Sequence, residues 1–102
     1  MSEKRFHLAL GTADVDASVV DYTARLGMPP VTHVPGQYAL WRTESLNVSI
    51  RHDAERPGTL RHLGWETPDA ESFTTSTDVN GIVWERFSAG QQAAEIAELW
   101  PG

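Results

Sequence analysis

Two histidines open two similar passages. FHLALGTADVDAS runs from Phe6 to Ser18 and RHLGWETPDAES from Arg61 to Ser72. Aligned on the histidines, His7 falls on His62, Leu8 on Leu63, Thr12 on Thr67 and Asp14 on Asp69, each pair 55 positions apart. Imidazole titrates near neutral pH and is a common transition-metal ligand. Two imidazoles at equivalent points of a repeat admit two readings: a shared metal ion, or two strand histidines hydrogen-bonded within a polar cavity. Glu66 shares a face with His62 if RHLGWE is a regular strand, which makes it a candidate catalytic base. Nucleophilic catalysis has little support, because the chain has no cysteine, no G-x-S-x-G elbow and no glycine-rich phosphate loop.

The elements that must position these groups follow from periodicity. RFHLALGT alternates, with Phe6, Leu8 and Leu10 on one face and His7, Ala9 and Gly11 on the other, which predicts a half-buried strand. Val15, Val19, Tyr22 and Leu26 then step at helical spacing, with Asp14 placed as N-cap, Gly27 at the C-terminus and Pro29-Pro30 beyond it. Three short strands follow in PVTHV, QYALWRT and LNVSIRH, and the polar DAERPG links the halves. The pattern then restarts: strand TLRHLGWE, a helix DAESFTTSTDV begun at Thr67-Pro68, a turn at Asn80-Gly81 and strand IVWERF. In the tail AGQQAAEIAELWPG, local preference favours a helix over a strand.

Composition narrows the function. The 102 residues suit one domain. A formal net charge of −6, with eight Lys and Arg scattered along the chain, leaves no basic stripe for a phosphate backbone, so nucleic acid is not an expected partner. No apolar run approaches the roughly 18 residues of a membrane helix, and MSEKRFHLAL does not read as a signal peptide. The expected location is cytoplasmic, in keeping with the missing cysteines. Trp41 and Trp84 are candidates to stack on a small molecule, with core packing as their competing use. Trp65 shares a face with Leu63 and is expected to pack on a helix. Arg42 and Arg51 can hold an anion or simply be solvated. His52, beside Asp53, is a reserve ligand.

The order β-α-β-β-β, used twice with a histidine opening each copy, resembles the vicinal oxygen chelate superfamily, which includes glyoxalase I, extradiol dioxygenases and bleomycin-resistance proteins. The resemblance rests on HLALGTADVDASVVDYTARLG and GTLRHLGWETPD. It implies one α+β domain over 1–102, built of paired β-α-β-β-β modules that form a half-barrel sheet with helices on its outer face. The first module covers about 4–54, and a truncated second about 58–102. It also implies a divalent metal (Fe, Zn, Ni or Mn) held by His7, His62 and, from the closing segment, Glu98. Where a fourth-strand glutamate would sit, this chain has Asn47 or Ser49, which with Arg51 become candidate ligand-binding residues. Two functions are implied: a metal-dependent lyase, isomerase or dioxygenase acting on an oxygen-bearing organic substrate, or a metal-free protein that sequesters an aromatic or cationic compound. The truncated module leaves a sheet edge open, so a homodimer is expected, with strand exchange as one way for the partner to complete the cavity.

Overall fold

The computed structural model describes residues 4–101. Among them, seven strands form one mixed sheet: β1 (Arg5–Thr12), β2 (Thr32–Val34), β3 (Tyr38–Arg42), β4 (Leu46–His52), β5 (Leu60–Glu66), β6 (Thr74–Thr77) and β7 (Val83–Phe87). Two helices accompany them, α1 (Val15–Leu26) and α2 (Ala89–Leu99). The sheet order is β2-β3-β4-β1-β5-β7-β6. The architecture is thus mixed α and β, an open sheet compatible with the expected α+β class. No helix among the described residues is long and apolar enough to cross a membrane.

Helix α1 forms as its sequence dictates. The Asp14 carboxylate accepts from the Ala17 amide at 3.0 Å, and Gly27 closes the helix at φ 76°, which a side chain would oppose. Its Val15 joins Ala39, Trp41 and Ile50 in a buried cluster that Leu10, Val19, Tyr22, Leu26 and Met28 extend. Burying one stripe of a helix against alternate residues of two strands is the main apolar gain of the fold. Helix α2 starts at Ser88 with a capping box, in which the Ser88 hydroxyl accepts from the Gln91 amide and the Gln91 side chain accepts from the Ser88 amide.

The second predicted helix, over 69–79, is not there. Thr67 and Pro68 open a turn, closed by the Ala70 amide donating to the Thr67 carbonyl, and Thr74–Thr77 pairs with β7 as a strand. The segment has no apolar stripe to hold a helix down: Val79 is 99% exposed, and Phe73 stacks on Phe87 instead. Its β-branched threonines suit an extended edge. Trp65 consequently has no helix to pack on. It stays 40% exposed and meets Phe6 edge-on at 5.1 Å. The expectation of helices on the outer face alone is corrected as well. Helix α1 covers one face of the sheet over β3 and β4, whereas α2 lies across the other, over the side chains of His7, Ser49 and His62.

Strands β1 and β5 run antiparallel, with His7 opposite Gly64 and Ala9 opposite His62. The histidines are diagonal neighbours on one face, and each has a residue with a minimal side chain across from it. Beyond β5, Gly64 aligns with Glu85 of the parallel strand β7. A Cβ on Gly64 would collide with the Glu85 carbonyl oxygen and lie 2.9 Å from its carbonyl carbon. Only glycine allows β7 this close. Gly64→Ala should therefore lower stability by about 1–3 kcal/mol through overpacking, measured as a drop in the thermal unfolding midpoint. An unchanged midpoint would show that β7 is free to shift.

Candidate metal centre

The pleat turns His7, Ser49, His62 and Glu85 toward one cavity of about 140 Å³, closed by the α2 residues Gln92, Glu95 and Ile96. The two imidazole rings stand 5.0 Å apart between centroids. His7 Nε2 lies 3.0 Å from His62 Nε2, and Glu85 Oε1 lies 2.9 Å from His62 Nε2 and 3.8 Å from His7 Nε2. A point equidistant from three atoms so spaced is about 2 Å from each, the length of a metal–imidazole or metal–carboxylate bond. These three residues can hold a metal ion.

The tautomer of His7 follows from its neighbours. The Asn47 side-chain amide donates through Nδ2 to Glu66 Oε1 at 2.8 Å and to Gln92 Oε1 at 2.8 Å. Its Oδ1 therefore points at His7, 2.8 Å from Nδ1, with the Asn47 carbonyl oxygen at 3.1 Å. Both are acceptors, so His7 Nδ1 carries the proton and Nε2 offers a lone pair toward His62 and Glu85. An outer hydrogen bond of this kind orients an imidazole for a metal. Burial pushes the His7 imidazole below its ordinary pKa, further favouring the neutral, ligating form, although the bond to Asn47 opposes the shift.

Glu66 sits behind this arrangement rather than in the cavity. Its side chain is 4% exposed and paired with Arg5 at 2.9 Å and Arg42 at 2.8 Å. Burial alone would raise its pKa, but hydrogen bonds from Arg42 and Asn47 and the charges of Arg42 and Arg5 prevail, holding it at about 2. So tightly neutralised a carboxylate is a poor proton acceptor, and Glu66 reaches His7 only through Asn47. The catalytic-base expectation gives way to a positioning role. Tyr38, at the cavity wall, is pushed up to about 12 by burial and remains a neutral phenol.

The other expected residues divide. Ser49 and Arg51 line the cavity, and Asn47 is buried beneath it. Trp41 does not line it; it is fully buried on the opposite face, 5.6 Å from Tyr22 of α1. Trp84 also faces away, over β6, with its Nε1 donating to Asp78. Glu98 is exposed on α2 and outside the cluster, because the tail is helical and presents Glu95 to the cavity instead. Arg42 is committed to Glu66. Sequence reasoning missed Glu85: strand parity in VWERF sets Val83, Glu85 and Phe87 on one face, but only the pairing of β7 with β5 brings that face beside the histidines. Arg61 was missed too. No protein-family model and no curated protein matches the chain.

Because the folded pKa of Glu66 lies below the ordinary 4.5, its contribution to stability is fully present above about pH 4.5 and is lost as pH falls from there toward 2. This contribution is on the order of 3 kcal/mol. Wild type should lose more stability than Glu66→Gln between pH 5 and about 2.5, read from denaturant midpoints at each pH. Parallel profiles would show that Glu66 is not held as described.

Proposed function

We propose that this chain is a metal-dependent, vicinal-oxygen-chelate-type protein acting on a small oxygen-bearing organic molecule, with His7, His62 and Glu85 as ligands of Fe, Zn, Ni or Mn. The observation that carries the reading is the meeting of an imidazole lone pair, a second imidazole nitrogen and a carboxylate oxygen within bonding reach of one point. Two histidines and one carboxylate on one side of an ion leave its other positions open. A metal held by His7, His62 and Glu85 would supply Lewis-acid polarisation of a substrate oxygen. The protein's own part is to keep His7 deprotonated at Nε2 through Asn47 and to orient Glu85 over Gly64. The strand pairs β1·β4 and β5·β7, both parallel and joined by antiparallel β1·β5, suit two β-α-β-β-β modules of which the second has lost its helix and a strand. On that reading Glu85 and Ser49 occupy equivalent positions, one strand outward from Gly64 and Ala9, so the lyase, isomerase or dioxygenase would work with three protein ligands.

The metal-free alternative draws less support. Trp41 and Trp84 stand outside the cavity, so neither is placed to stack on a compound bound there. Its remaining basis is the Tyr38–Trp100 stack at 4.7 Å. Elemental analysis of untagged protein should find about one transition-metal ion per chain, and His7→Ala, His62→Ala and Glu85→Gln should each lose it. Metal-free wild type whose tryptophan emission is quenched saturably by aromatic compounds would favour the alternative.

We also propose a homodimer. On the face opposite the cavity, β5 and β7 carry Trp65 and Trp84 with no helix over them, and β6 is an exposed edge. Light scattering at micromolar concentration should give about twice 11.3 kDa; a clean monomer would refute the pairing.

A further inference from the structure

The cavity that holds the candidate metal centre is also lined by Arg51, from β4, and Arg61, from β5. Among the described residues neither guanidinium forms an ion pair or a side-chain hydrogen bond. Arg51 lies over the Trp100 ring at 5.2 Å, a contact that uses none of its hydrogen-bond donors. The contrast with Arg5 and Arg42, both committed to Glu66, is sharp. Unpaired arginines side by side repel, and in a chain of net charge −6 two of them nonetheless face one hollow.

We propose that Arg51 and Arg61 bind the carboxylate of a small organic acid whose remaining oxygen reaches the His7–His62–Glu85 centre. The second half of this statement rests on the metal reading above; the first does not. A planar guanidinium offers parallel N–H donors that match a carboxylate. Charge agrees: the two arginines balance Glu85 and Glu95 in the cavity wall, and a divalent ion would leave the cavity positive. Size agrees as well, since a cavity of about 140 Å³ has room for several waters and hence for a small organic acid.

The test is calorimetric titration with pyruvate and with methyl pyruvate, which keeps the oxygens and removes the charge, on EDTA-stripped and on Zn²⁺-loaded protein. Pyruvate should bind saturably, and Arg51→Gln and Arg61→Gln should each weaken it about tenfold or more in both forms. Arg25→Gln, the same charge change on α1, should bind as wild type, and methyl pyruvate should bind weakly and equally to all. Arg61 lies toward the rim and has no structural partner, so its variant keeps the test valid should Arg51→Gln unfold. No saturable pyruvate binding, equal binding by Arg61→Gln, or equal weakening by Arg25→Gln would overturn the proposal. Arginine dependence in stripped protein survives failure of the metal reading, and zinc uptake retained by Arg61→Gln survives failure of this one.

Discussion

The centre of the molecule depends on how closely β1 and β5 can lie with a histidine on each. Side by side, two imidazoles need room, and the register provides it by placing Ala9 opposite His62 and Gly64 opposite His7. Gly64 has a second consequence on its other side, where the missing Cβ lets β7 close in and carries the Glu85 carboxylate over the glycine toward both rings. A side chain at Gly64 would meet the Glu85 backbone and press β7, with its carboxylate, away from the rings. The candidate ligand set is thus a matter of backbone approach before it is a matter of ligand chemistry.

Behind the rings runs a continuous polar chain. Arg5 and Arg42 hold Glu66, Glu66 accepts from Asn47, and Asn47 accepts from His7 Nδ1 and exchanges two hydrogen bonds with Gln92 of α2. Buried polar groups are costly unless each finds a partner, and here the buried members do. The network accordingly serves three parts at once: it locks the sheet interior, assigns the His7 tautomer and seats the helix that roofs the cavity. That coupling explains why Glu66, although it never touches the cavity, belongs to the site.

The sheet is unevenly covered, and the site reflects it. Helix α1 seals β3 and β4 with an apolar core, so Trp41 is consumed by packing and unavailable to a ligand. Over β5 and β7 no helix among the described residues packs on that face, and Trp65 there remains 40% exposed. Helix α2 instead crosses to the cavity side, where the stacking of Trp100 on Tyr38 and the Arg51–Trp100 contact secure its end.

What the sequence determined by itself was local. Alternation in β1, β4 and β5 assigned faces, the stripe and caps marked α1, and the echo of His7 in His62 singled out two residues that the fold does bring together. The same local rules fail where packing decides: helical preference over 69–79 finds no apolar stripe to hold it, whereas the helix expected of the tail does form, and it leaves exposed the Glu98 that the family resemblance implied as a ligand. Glu85 and Arg61 became functional candidates only in three dimensions. Their importance comes from which strand lies beside β5, and strand pairing joins residues distant in the chain through contacts that no local period encodes.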